Sequence, residues 1–218
     1  MLRRNRPNRL PGISGLSIDS FGWPLVASTD SAIQWRDGVD VLSLNYFPVA
    51  PDVAGFPDED RALSDQFRSD ESSGGYAAVD AHWTREPSGR PVAQLILKAP
   101  QKGSGMIYQG SLIIPFAACS WIVRLQRHEV GTTGIREALW LDQHLASGGS
   151  LQEAGIDTSA EPLPADSAPP PVRRGPADDP EWDDLVPQHP LSRLRRGMTS
   201  VLASVRLSPQ AQRLAPLG

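Results

Sequence analysis

Any chemistry this chain performs needs groups that can attack, take up a proton or hold an ion. The first pair to weigh is Cys119, the only cysteine, with His128 nine positions on in SLIIPFAACSWIVRLQRHEVGTTGIRE. A thiolate with a histidine base requires the two side chains to touch. The period-two pattern here places Cys119, Trp121, Val123 and Leu125 on one face of a strand, and Ser120, Ile122, Arg124, Gln126 and His128 on the other. Opposite faces keep the pair apart, so Cys119 reads as a buried structural thiol. The four histidines, His82, His128, His144 and His189, show neither HExxH nor His-x-His spacing, and no metal ligand set or other cofactor site is expected. In KGSGMIYQG, Lys102 stands in a glycine-containing loop that lacks both the GKS/T ending and a following helix. It reads as a hairpin loop and not as a phosphate cradle. Asp58, Glu59 and Asp60 stand at a helix start, where negative charge complements the macrodipole without any catalytic role.

GTTGIRE resists so simple an account. Arg136 in the first helical turn opposes the dipole preference, so another interaction must hold it there. One reading is a structural ion pair with Glu129 or an acidic loop; the other is a binding hotspot at the sheet edge that uses Arg136 with Trp140.

The elements that must position these groups follow from periodicity. From Ile13 to about His128 the pattern is mostly of period two, with turn residues between apolar runs. VDVLSLNYF is a predicted strand. YAAVDAHW and PVAQLILK flank the Pro87-Ser88-Gly89 turn as a hairpin, and MIYQGSLII follows the Lys102–Gly105 loop. Between them DEDRALSDQFRSDESSGG changes to helical spacing at Ala62, Leu63, Gln66 and Phe67, with Asp58 as cap and Gly74-Gly75 as stop. GIREALWLDQHL is a second predicted helix, capped by Gly131-Thr132-Thr133, with Ile135, Ala138, Leu139, Leu141 and Leu145 as its apolar stripe. Near the C-terminus Leu191, Leu194, Met198, Val201 and Val205 recur at steps of three and four behind Pro190, which marks an amphipathic helix. Gly197 inside it costs about 1 kcal/mol relative to Ala. No internal repeat is present.

These elements divide the chain into a basic flexible N-terminus (1–12), an α+β domain (13–148), a Pro-rich linker (149–178), a C-terminal helical docking segment (179–207) and a flexible tail (208–218). The expected fold class is α+β, a curved antiparallel sheet with helices packed on one face, plus the C-terminal amphipathic helix. The formal charge of −4 gives no global case for nucleic acid. Charge is nonetheless segregated: Arg3, Arg4, Arg6 and Arg9 at the start, acidic Asp178, Asp179, Glu181, Asp183 and Asp184, then basic Arg193, Arg195, Arg196, Arg206 and Arg213. Such alternation suits docking within the chain or a partner of mixed charge. With one cysteine there is no disulfide framework, and no apolar run reaches the length of a membrane span. A soluble, cytoplasmic protein is expected.

The blocks GMIYQGSLIIPFAACSWIVRLQRHEVGTTGIREA and PEWDDLVPQHPLSRLRR resemble those of a family of uncharacterised bacterial proteins. The order of elements also resembles PsbP-like folds, which implies an antiparallel sheet backed by helices and a role as adaptor, chaperone or assembly factor. Neither resemblance brings a catalytic residue with it.

Surfaces without a convergent nucleophile, base or metal set make a non-enzymatic protein-interaction module the leading expectation, an adaptor or chaperone for another bacterial protein. The candidate partner-binding residues are Arg136, Trp140, Trp182, Leu191, Leu194 and Met198. Two alternatives stand beside it. One is a hydrolase-type enzyme whose site is assembled from separated His and acidic residues; the other is weak contact of the Arg-rich termini with anionic membrane or nucleic acid. An enzyme requires a pocket with titratable groups in contact, whereas an adaptor requires a shallow groove.

Overall fold

The computed structural model describes residues 10–56, 59–69, 75–154, 156 and 172–217. Arg3, Arg4, Arg6 and Arg9, the Asp58 cap, Gly74 of the helix stop and most of the Pro-rich linker lie outside the described residues. Among the described residues nine strands run in chain order: β1 (Leu16–Ser17), β2 (Leu25–Ser28), β3 (Ala32–Asp37), β4 (Asp40–Phe47), β5 (Ala77–Arg85), β6 (Pro91–Pro100), β7 (Met106–Pro115), β8 (Ser120–His128) and β9 (Arg206–Leu207). The described helices are α1 (Asp60–Ser69), α2 (Ile135–Ala146) and α3 (Pro190–Ser204).

Two antiparallel meanders build the main sheet. β2-β3-β4 and β5-β6-β7-β8 join by pairing β4 with β8, which gives the open order β2-β3-β4-β8-β7-β6-β5. The β5–β6 hairpin turns at Pro87–Gly89 as its turn residues predict, and the buried Glu86 carboxylate accepts the Ser88 and Arg90 amides at 2.9 Å each. β1 and β9 form a separate two-stranded sheet.

α1 covers one face of the sheet and the C-terminal α3 covers the other. Alternation makes the reason plain, because β6, β7 and β8 carry apolar side chains at both parities. On one side α1 packs Leu63 among Ala81, Trp83, Ala93, Leu95 and Ile113. Its Asp60 also accepts the Trp83 amide at 2.6 Å, so this carboxylate ties helix to strand as well as sitting at the helix start. On the other side α3 lays Leu191, Leu194, Met198 and Val201, all fully buried, against Leu42, Leu44, Tyr108, Leu112, Val123 and Leu125. Each such side chain stabilises the fold by roughly 1.5–3 kcal/mol.

Close approach of α3 to β7 and β8 depends on two glycines. A Cβ on Gly110 would lie 2.5 Å from Met198 Sδ, and one on Gly197 2.6 Å from Leu125 Cδ2. Gly197 therefore gives up helix propensity to let the helix sit down on the strand.

Cys119 is fully buried just before β8 starts. His128 ends the same strand, on the order of 30 Å away at about 3.3 Å per residue. Burial pushes the Cys119 thiol up, which favours the protonated form over the thiolate.

Candidate functional site

The returning C-terminal block is stitched to the sheet by charge. A bulge at Val79 in β5 frees its carbonyl, which Arg174 Nε takes at 3.0 Å. Arg174, upstream of residue 179, thus already contacts the sheet. Lys98 Nζ on β6 donates to Asp178 Oδ2 at 2.5 Å, both groups buried. Arg127 on β8 and Arg193 on α3 share Asp40 Oδ2, each at 2.6 Å, and the Arg127 guanidinium also lies over the Trp23 ring. Acidic and basic runs that alternate in sequence thus meet within the fold.

Arg136 is the centre of this clasp and is wholly shielded from water. Its Nη1 donates to Asp183 Oδ1 and Ser192 Oγ, each at 2.8 Å. Its Nη2 donates to the Asp179 carbonyl at 2.5 Å and its Nε to the Ala177 carbonyl. Arg195 completes the arrangement, donating to Asp183 Oδ1 at 3.0 Å and to the Asp178 carbonyl at 2.5 Å. The acidic loop, not Glu129, is therefore the partner of Arg136. That interaction outweighs the unfavourable dipole at the start of α2.

Turning Arg136 inward rotates the expected apolar stripe of α2 outward. Ile135, Leu139 and Leu145 are 44%, 36% and 41% exposed. No threonine caps this helix; its N-cap is Gly134 in the left-handed conformation.

Beside the clasp lies a second cluster that spacing did not reveal. The turn after β8 holds Glu129, whose Oε2 accepts the Met106 amide at 2.7 Å and whose Oε1 accepts the Gly134 amide at 3.2 Å. His189 caps α3: its Nδ1 accepts the Leu191 amide at 3.2 Å, which leaves the ring proton on Nε2. That Nε2 stands 3.3 Å from Glu129 Oε1, close but without the alignment of a hydrogen bond. Burial pushes the Glu129 carboxyl up, yet His189 and the Met106 and Gly134 amides prevail and hold it below its ordinary value.

Tyr108 on β7 meets the His189 ring edge-on at 5.5 Å between centroids. Burial, and then the nearby Glu137, Asp178 and Glu129 carboxylates, raise its hydroxyl far above the usual tyrosine range. The hydroxyl, Glu137 Oε2 and His189 Nε2 are all shielded and lack hydrogen-bond partners. Glu129 and His189 also floor a cavity of about 300 Å³ walled by Val130, Thr132, Ile135 and Val186–Pro190.

Of the residues singled out from sequence, Arg136 is buried at the centre of the clasp and Trp182 is buried one position before Asp183, the partner of Arg136. Leu191, Leu194 and Met198 form the chain's own core under α3 and present no surface to a partner, because the sheet face beneath them is apolar. Trp140 is half-buried, stacked on His144 at 5.3 Å and 17° between planes, and shares a shallow cavity with Glu181 and Trp182. Glu129, Glu137, Tyr108 and His189 escaped the sequence reading as a group. One signal was available: His189 directly precedes Pro190, the position of a helix cap.

Among the described residues no helix is long and apolar enough to cross a membrane. No protein-family model and no curated protein matches this chain.

Proposed function

We propose that this chain is a protein-interaction module whose docking face is the outward side of α2 with the Val186–Pro187 turn beside it. One observation carries this reading: α2 buries its arginine and leaves Ile135, Leu139 and Leu145 of its apolar stripe exposed. Val130, which walls the same cavity as Ile135, is 74% exposed. Exposed apolar side chains of this kind mark a place where something binds, and the Val130, Ile135 and Val186 walls of the cavity offer contacts for a partner's side chain.

The test is affinity capture from the native host with wild-type bait and with a Val130→Glu, Ile135→Glu, Leu139→Glu bait of unchanged melting temperature. Proteins retained by the wild type and lost by the variant are the expected result. Identical retained sets would refute the docking face.

A hydrolase-type enzyme is the second reading, favoured by the contact of Glu129 with His189 on the floor of that cavity. It ranks lower because Nδ1 of His189 is spent on the Leu191 amide and Nε2 carries the proton, so the ring has no free lone pair with which to act as a base. Contact of the C-terminal arginines with anions ranks below both. Arg193 and Arg195 are paired with Asp40 and Asp183, and Arg196 and Arg206 donate to backbone carbonyls.

A further inference from the structure

Glu129, Glu137 and His189 come from the β8–α2 turn, the first turn of α2 and the cap of α3. Each offers a donor atom, and these atoms lie within 4.8 Å of one another. Glu129 is buried, Glu137 is partly exposed with its Oε2 shielded, and Arg136 donates a hydrogen bond to neither, since its donors go to Ala177, Asp179, Asp183 and Ser192. The shielded His189 Nε2 and Glu137 Oε2 both lack a hydrogen-bond partner, two of nine such buried side-chain atoms among the described residues. The His189 side chain is only 5% exposed. Unsatisfied donors and acceptors gathered around surplus negative charge have the chemistry of a cation site.

We propose that Glu129, Glu137 and His189 bind one divalent transition-metal ion of the zinc type. A nitrogen donor with two carboxylates suits such an ion, whereas Mg²⁺ and Ca²⁺ favour oxygen alone. Glu129 is pre-set by the Met106 and Gly134 amides, which orient it as outer-shell groups orient metal-bound carboxylates. Bonds of about 2.0–2.2 Å require the donors to draw together. Glu137 makes that movement, because no hydrogen bond holds its Oε2. Glu129 and His189 face the cavity, so a further coordination position opens to water.

Coordination through Nε2 moves the imidazole proton to Nδ1, where it opposes the Leu191 N–H. The long cap bond is then given up, a small loss beside three metal bonds. Ion binding is thereby coupled to the start of α3, and the Leu191 amide becomes its reporter. The inference is independent of the docking face.

The experiment titrates the chelator-stripped full chain with ZnCl₂ and, separately, with MgCl₂ by calorimetry, and follows melting and the Leu191 amide resonance. Saturable 1:1 binding of Zn²⁺ is expected, with a higher melting temperature, a shifted Leu191 resonance and no comparable response to Mg²⁺. Glu137→Gln should weaken Zn²⁺ binding at least tenfold while leaving the metal-free melting temperature unchanged. His189→Asn, which keeps a capping side chain, should abolish it, and His82→Asn should not affect it. Absence of saturable Zn²⁺ binding, survival of that binding in Glu137→Gln, or equal binding of Mg²⁺ overturns the proposal. Should His189→Asn unfold, Glu137→Gln alone decides.

Discussion

Replacing Arg136 by alanine tests whether the clasp or the apolar seam holds the C-terminal block in place. The substitution removes four donated hydrogen bonds at once from a wholly buried site. Asp183 keeps Arg195 at 3.0 Å and Ser192 at 3.1 Å, and is itself 20% exposed, so its charge is not stranded. The Ala177 and Asp179 carbonyls lose this donor outright. Removing one member of a buried ion pair costs roughly 3–5 kcal/mol, and the remaining contacts of Asp183 place this case at the low end, about 3 kcal/mol. At roughly 2–4 °C per kcal/mol for a chain of this length, the melting temperature should fall by about 6–12 °C. Arg136→Lys restores the charge but not the planar fork of donors, and should recover less than half of the loss. Differential scanning calorimetry reads both variants, and limited proteolysis should show earlier cleavage between residues 172 and 189. An alanine variant that melts within about 2 °C of wild type, or a lysine variant that recovers fully, would refute the reasoning.

A chain ending at Leu163 should aggregate or melt far lower, because it exposes the sheet face that receives Leu191, Leu194, Met198 and Val201; light scattering and calorimetry check this. Cys119 should resist a small thiol reagent in the native protein and react stoichiometrically only in denaturant, and fast native labelling would contradict its burial. Gly110→Ala should destabilise by about 1–3 kcal/mol, read as a lower urea midpoint, since the new methyl meets Met198 in a filled core. Because the Glu129 carboxyl is held low in the folded chain, the stability it confers is complete above the ordinary glutamate value of about 4.3 and is lost as pH falls through the lower folded value. Urea midpoints measured from neutral to acid pH should therefore decline more steeply for wild type than for Glu129→Gln.

Local periodicity by itself determined much of this protein. Alternation from Cys119 to His128 was enough to set the two residues on opposite faces and to remove a thiolate mechanism, because a side chain's face in a strand depends only on its own position along the chain. Turn residues at Pro87–Gly89 likewise located a hairpin, since the backbone conformation they favour is local. The same reasoning placed the stripe of α3 but misjudged α2. Both helices have an apolar side, and periodicity says which residues share a side without saying which side is covered. In α2 the choice was made by Asp183 and the carbonyls of Ala177 and Asp179, residues 41–47 positions away that capture Arg136 and turn Ile135 and Leu139 to water. Pairing of β4 with β8 was equally beyond local pattern, because the partner strand lies across an entire second meander. Glu129, Glu137 and His189 form a cluster only because β8 runs beside α3 and the chain returns over the sheet at Lys98 and Asp178. No spacing rule could find three ligands carried by a turn and two different helices, with Glu137 and His189 52 positions apart. Their proximity is a property of the packed chain, where the burial of α3 brings charges together that an extended chain keeps apart.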